Sequence, residues 1–378
     1  MTQPAIALVW ENFGPSHFDR IRACVAAGYR VIAIEFNASS LTYQWERGDV
    51  VGAEQITLSA SERRIGGAVL TWKLVRTVWR ARAGAVFLCH YQNGAVFAAA
   101  ILLRLLGVQV FTMVDSKFDD YPRFLWREAG KALLFAPYHG AIAGSRRTRD
   151  YLHFLGLMRR PVVSGFDTLD LARIRAAAPN GLALPHAARD FLIVSRLVRK
   201  KNLAFALRAY AKWREGAIHP RRLRLVGYGE EEAALRALTA ELGIAGSVIF
   251  EGQVDSRRVG MAMASALCLI LPSIEEQFGL VVIEALALGL PVLVSANAGA
   301  VDELIDNGVN GWIIDPYRPA ALEATMALLD RDAATWERAA AAARASSGRA
   351  DVGLFVLGVG NLLAGLKPDS RLPTSLRD

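Results

Sequence analysis

Two doubly wound α/β domains, each a parallel sheet with helices on both faces, are what this sequence predicts. Three observations predict them. Short β-branched or apolar runs alternate with helix-period segments along nearly the whole chain. That alternation, in 378 residues, is too long for one sheet and suits two domains of ordinary size. The rhythm breaks once, between Val163 and Phe191, where strand patterning stops and Pro179-Asn180-Gly181 gives a turn signal.

In the first half the expected strands are Ile6–Trp10, Val31–Glu35, Ala85–His90, Val108–Met113, Ala141–Ala143 and Pro161–Val163. Helical stretches over Ser16–Ala27, Ile65–Arg82, Gly94–Leu106 and Arg146–Leu155 fall between them. The second half repeats the grammar with Phe191–Ser195, Arg222–Gly227, Val248–Phe250, Leu267–Leu271, Val292–Ser295 and Trp312–Ile314. The division expected is a first domain over 1–168, a linker over 169–190 and a second domain over 191–346. A closing helix follows within 347–366, and a polar tail with two prolines, 367–378, is expected to be disordered.

Composition narrows the function. With 53% hydrophobic and 21% charged residues, intrinsic disorder is excluded. The excess of 44 basic over 36 acidic residues suits anionic ligands or an anionic membrane surface. Cys24, Cys89 and Cys268 are odd in number and far apart, so they form neither a disulfide framework nor a ligand pair, which fits a reducing compartment. The apolar stretches Gly94–Val108 and Val352–Leu366 fall short of the roughly 20 residues a spanning helix needs. The first residues carry no basic leader. A cytoplasmic protein is expected.

Ligands of such sheets bind beyond the carboxyl ends of the strands, so the loops there hold the candidate chemistry. After Phe191–Ser195 comes Arg196-Leu197-Val198-Arg199-Lys200-Lys201-Asn202, with Asn202 expected to cap the next helix. Arg196 and Lys201 offer a guanidinium fork and an ammonium, a pairing suited to a diphosphate, whereas Arg199 and Lys200 read as solvated. Gly227-Tyr228-Gly229 either lets backbone approach a ligand or makes a tight strand-to-helix turn. The segment from Pro272 to Pro291 says most. Glu276 sits in its loop, Phe278-Gly279-Leu280 leads into a helix, and Glu284 lies inside that helix. Carboxylates beside a helix start suit sugar hydroxyls, with backbone amides left for phosphate. A glutamate within Val281–Leu288 is costly without a partner, which argues against an incidental one.

Glu276-x7-Glu284, with Phe278-Gly279 and Glu284-Ala285, resembles the signature of the retaining family 4 glycosyltransferases of GT-B fold. The likeness continues through Gly289-Leu290-Pro291-Val292, Gly299-x3-Glu303 and Asn307-Gly308-Val309-Asn310-Gly311. Ser195-Arg196-Leu197 with Lys201-Asn202 resembles the donor-phosphate segment. Near the start, Asn12-Phe13-Gly14-Pro15-Ser16-His17, Tyr43-x-Trp45 and Asp115-Ser116 resemble a branch associated with bacterial exopolysaccharide and cell-surface glycans. The resemblance implies two Rossmann-like domains facing a cleft, a nucleotide-sugar donor in the second, and a glycan or lipid-linked acceptor served by the first. It implies that Glu284 holds the ribose, that Glu276 orients the sugar, and that Arg196 and Lys201 neutralise the leaving diphosphate. Gly14, Gly227 and Gly229, with Phe278, Gly279 and Leu280, would line the donor site. Many members of the family place a histidine after the fourth strand of the first domain. Read here as Thr112-Met113-Val114-Asp115, that stretch leaves the role vacant or moves it to Asp115 or His17, and His17 is equally a structural residue of a helix start. His90 and His139 read as structural.

No metal or other cofactor is expected. The only Asp-x-Asp, Asp330-Arg331-Asp332, lies between helical stretches with Asp332 placed as a cap, and no Cys/His cluster occurs. Arg63, Arg64, Lys73, Arg76, Arg80 and Arg82, interleaved with Trp72 and Trp79, make either a face for anionic lipid or an ordinary amphipathic helix. Nucleic acid finds no stacking platform or recognition helix. Rival readings are a GT-B epimerase or phosphorylase, or a non-catalytic nucleotide-sugar-binding protein. The donor base, its sugar and the acceptor are not specified by these motifs.

Overall fold

The computed structural model describes residues 5–38, 48–59, 65–121, 123–178 and 184–365. Tyr43 and Trp45, Arg63 and Arg64, the Pro179-Asn180-Gly181 turn and the 367–378 tail lie outside the described residues. The chain divides into two units: Met1–Phe118, Pro122–Leu169 and Val352–Asp378 form the first, and Asp119–Tyr121 with Asp170–Asp351 the second.

The first unit runs β1 (Ala5–Trp10), α1 (Pro15–Ala26), β2 (Arg30–Asn37), β3 (Ala53–Ser59), α2 (Gly67–Arg80), β4 (Ala85–Leu88), α3 (Gly94–Leu105), β5 (Gln109–Val114), α4 (Leu125–Leu134), β6 (Gly140–Ala143), α5 (Arg146–Leu152) and β7 (Val162–Ser164). Its seven described strands are all parallel, in the order β3-β2-β1-β4-β5-β6-β7. The central strands are buried on both faces, which is why they read as unbroken apolar runs. Strand β3 was not expected. At the sheet edge its Ala-Glu-Gln-Ile-Thr-Leu-Ser is half-exposed and mixed, so it lacks the apolar run by which its neighbours are legible.

The second unit runs α6 (Leu171–Ala176), β8 (Asp190–Val194), α7 (Leu203–Glu215), β9 (Leu223–Val226), α8 (Glu232–Glu241), β10 (Val248–Gly252), α9 (Ser256–Ala264), β11 (Ala266–Leu271), α10 (Leu280–Ala287), β12 (Val292–Ser295), α11 (Val301–Leu304), β13 (Gly311–Ile314), α12 (Pro319–Arg331) and α13 (Ala333–Ser346). Its six described strands, all parallel, are ordered β10-β9-β8-β11-β12-β13. The segment expected as linker holds α6, capped by Asp170, whose carboxylate accepts from the Arg173 amide at 3.0 Å. Arg175 secures that helix through the Ser347 hydroxyl at 2.9 Å. The chain then returns to the first unit as α14 (Gly353–Leu363), four residues later than expected from Arg349. Gly358 lets α14 lie close to β7: a Cβ there would stand 3.1 Å from the Ser164 carbonyl.

Both sheets reverse direction of winding beside their first strand, at β1/β4 and at β8/β11. Loops diverge at these switch points and open a crevice at the carboxyl edge. No described helix is long and apolar enough to cross a membrane.

Candidate functional site

In the second unit the site forms where the loops after β8 and β11 meet. Lys201 Nζ donates to Glu276 Oε2, and the Ser273 hydroxyl donates to the same oxygen at 2.9 Å. Both charged side chains are largely withdrawn from water, at 13% and 11% exposure. Sequence reasoning assigned Lys201 to phosphate and Glu276 to sugar. The fold joins them as a pair, so each fixes the other's position. The main chain holds the loops in register: the Ile274 amide donates to the Lys200 carbonyl at 2.9 Å. Asn202 has a left-handed backbone (φ +56) at the start of α7, and its side chain does not cap that helix. Its amide instead donates to the carbonyls of Pro272 (3.2 Å) and Pro316 (2.8 Å), tying three loops together. Lys200, expected in solvent, pairs with Glu275 at 3.4 Å. Arg199 is exposed, and Arg196 is half-buried on the same loop.

Gly279 (φ +102) turns the chain into α10, in a region that L side chains rarely adopt. Phe278 is buried beneath the turn, while Leu280 and Glu284 are half-buried on α10. The loop after β12 closes over this segment: Ala298 bridges to Glu276, and the Ala300 amide donates to the Phe278 carbonyl at 3.0 Å. Gly227 and Gly229 are required where two loops cross. A Cβ on Gly227 would lie 1.9 Å from the Ser195 carbonyl oxygen, and one on Gly229 would lie 2.2 Å from that of Leu197. These glycines let the loops after β8 and β9 touch backbone to backbone, as the Leu197 amide to Tyr228 carbonyl bond (2.8 Å) records.

The first unit carries a cavity of about 470 Å³ at its own switch point, lined among others by Glu11, His90, Asn93, Asp115 and Ser116. His90 was read from the sequence as structural. It follows β4 with a left-handed backbone (φ +59), is half-exposed, and faces Glu11 across 4.0 Å. Because the sequence does not reveal β3, the expected strand Val108–Met113 stands fourth there. The fourth strand is β4, and the histidine just after it is His90. Asp115, at the end of β5, lines the same cavity. His17 and Gly14 do not line it. The Gly14 amide donates to His17 Nδ1 at 2.8 Å, which closes the first turn of α1 and commits both groups. Burial holds the His17 pKa well below its ordinary value, with Arg20 and His90 adding to the shift. The ring is therefore neutral, and the Gly14 contact places its proton on Nε2. Glu35, buried at the end of β2, anchors this loop by accepting from the Phe13 amide at 2.8 Å and from the Thr57 hydroxyl at 2.7 Å. Sequence reasoning missed it; a carboxylate inside the run Val31–Phe36 was the available signal.

His139 is structural, its Nδ1 accepting from the Val110 amide at 3.0 Å. The Asp-x-Asp is committed elsewhere: Asp330 pairs with Arg221 at 2.5 Å, and Asp332 caps α13 through the Thr335 amide at 2.9 Å. No group of three or more potential ligands gathers among the described residues.

Residues 175–346, within the second unit, match the family model described as "Glycosyl transferases group 1". The D-inositol 3-phosphate glycosyltransferase of Acidothermus cellulolyticus is 36% identical over 155 residues, covering 38% of this chain and 34% of that protein. The amylovoran biosynthesis glycosyltransferase AmsK of Erwinia amylovora is 30% identical over 168 residues, 42% of this chain and 40% of AmsK. The chain thus spans well under half the length of these curated relatives. The fold extends further. Sucrose-phosphate synthase from Thermosynechococcus elongatus superposes with a TM-score of 0.74 at 20% identity, covering 96% of this chain and 98% of that one. Anabaena HepE in complex with UDP-glucose gives 0.73 at 18% identity, over 96% and 100%. The architecture is the two-domain GT-B fold.

Proposed function

We propose that this protein is a group 1 glycosyltransferase that moves a sugar from a nucleotide-sugar donor to a hydroxyl acceptor, with retention and without a divalent metal, in the synthesis of a bacterial polysaccharide or cell-envelope glycan. The observation that carries the reading is the Lys201–Glu276–Ser273 cluster at the β8/β11 switch point, inside the segment that matches the family. The names of the relatives, which include a polysaccharide biosynthesis enzyme and a structure solved with UDP-glucose, support the substrate class.

In this reading Glu284 accepts hydrogen bonds from the donor ribose and Glu276 orients the sugar. Breaking the bond between the anomeric carbon and the diphosphate oxygen leaves charge on that oxygen, which Arg196 and Lys201 stabilise from fixed positions. The acceptor hydroxyl attacks the face the diphosphate leaves and passes its proton to the departing phosphate oxygen, so no separate general base is required. His90 and Asp115 line the cavity of the first unit, the unit read as serving the acceptor. The decisive experiment is a thermal-shift screen of nucleotide sugars against the full chain. One of them should raise Tm, and Glu284→Ala should weaken its binding about 10- to 100-fold, the loss of a hydrogen bond to a charged acceptor. Unchanged affinity in that variant would remove the ribose assignment. No shift by any nucleotide sugar, with no transfer, would remove the function.

A further inference from the structure

We propose that the outer helical layer of the first unit, α2 with α3 and α4, is a docking face for an anionic lipid bilayer. The reasoning is independent of the chemistry proposed above. A helix covering a sheet ordinarily turns its apolar stripe inward and its charges to water. Helix α2 obeys on one side, where Leu70, Leu74 and Val78 enter the core. Its other side exposes Trp72 (56%) and Trp79 (61%). Next to it α3 exposes Leu105 (78%) and Leu106 (53%), and a largely apolar groove of about 690 Å³ runs between the two helices under Trp72, Trp79 and Leu102.

Helix α4 is turned inside out. Its one carboxylate, Glu128, is buried, accepting from the Tyr151 hydroxyl and from Lys131 Nζ at 2.9 Å, with Arg123 3.6 Å away. The Tyr151 contact pins its polar side to the body of the unit. Leu125 (77%) and Trp126 (70%) are left in solvent. Arg104 joins α3 to the end of α4, reaching the Pro137 carbonyl at 2.9 Å. Exposed apolar surface of this extent marks an interaction site.

Charge selects the occupant. Helices α2 and α3 contain no acidic residue, and the single one of α4 is buried. Outward cations accompany the tryptophans: Arg76 stacks on Trp72 at 4.8 Å and Arg127 on Trp126 at 5.0 Å, with Arg80 and Arg82 exposed beside them. Two copies meeting through this face would bring arginine to arginine without a carboxylate between them. Lipid phosphates supply the missing anions, and Trp beside Arg is the pairing suited to the headgroup–acyl boundary. The basic helix read from the sequence therefore contributes less than expected, because Lys73 turns in to the Leu58 carbonyl (2.6 Å). The neighbouring helices contribute more.

The test is co-sedimentation of the full chain with phosphatidylcholine vesicles, with and without about 30% phosphatidylglycerol, alongside tryptophan emission. Binding to the anionic vesicles only, a blue shift on binding, and release as salt shortens the Debye length are expected. The Arg76→Gln/Arg80→Gln variant should bind about 30-fold more weakly, at roughly 1 kcal/mol per basic residue. The Trp72→Ser/Trp126→Ser variant should lose most of the blue shift; if it fails to fold, the arginine variant decides. No binding, equal binding to both compositions, or binding that the arginine variant leaves intact would overturn the proposal. So would self-association by sedimentation velocity in place of vesicle binding.

Discussion

Replacing Lys201 with methionine keeps most of the side-chain volume and removes the charge that Glu276 faces. The pair is mostly withdrawn from water, at 13% and 11% exposure. It should therefore exceed the 0–1 kcal/mol typical of exposed pairs and fall short of the 3–5 kcal/mol lost when a fully buried pair is broken. We expect Lys201→Met to destabilise the second unit by about 2 kcal/mol. For a domain of this size that lowers Tm by about 4–8 °C. Glu276→Gln should cost less, because its amide oxygen can still accept from Ser273. In the double variant neither charge is left unpaired, so it should be more stable than the two losses added together, with a coupling energy of about 1–2 kcal/mol. The assay is denaturant unfolding of the four proteins without nucleotide, followed by titration with UDP, GDP and ADP. Losses that add to within about 0.5 kcal/mol would refute the argument that each residue positions the other.

Further outcomes follow from the same geometry. His17 is held neutral with a folded pKa below 6.5, so as pH falls the unfolded chain takes its proton first. Its stabilising contribution is complete above that value and is lost as pH falls through the folded pKa; Tm measured from about pH 7 to pH 5 should fall less in His17→Gln than in the parent chain. Transfer should survive EDTA, while Arg196→Ala should lower kcat roughly 100-fold; activity lost to chelator and restored by magnesium would contradict this. Arg199, exposed on the same loop, is the control substitution, since Lys200 is engaged with Glu275. His90→Ala should reduce kcat by about 100-fold with nucleotide binding unchanged, and an equal loss in nucleotide affinity would overturn the acceptor-side reading of His90.

Much of this protein was legible in its amino-acid order. The alternation of buried strands and amphipathic helices predicts two parallel sheets, because strands covered on both faces must be apolar throughout and the helices that connect them must be apolar on one side. Glu276, Gly279 and Glu284 could be singled out because a carboxylate in an apolar run and a glycine at a helix start are costly unless something requires them. Asp332 was read correctly as a cap for a similarly local reason. What needed the tertiary structure were relations between residues far apart in the chain. Lys201 and Glu276 are 75 positions apart, and no local pattern joins them. Gly227 and Gly229 read in the sequence as either ligand contacts or a tight turn, and only the fold shows the loop after β8 lying against them. Strand β3 escaped notice because an edge strand is half-wet and keeps polar residues, and with it went the strand count that makes His90 the residue after the fourth strand. The outward face of α4 is the clearest case. Its composition is that of an ordinary amphipathic helix, and only the packing of Glu128 and Lys131 against Tyr151 decides that its apolar side meets solvent. Local sequence sets which residues share a face, but which way that face points depends on what the rest of the chain places beneath it.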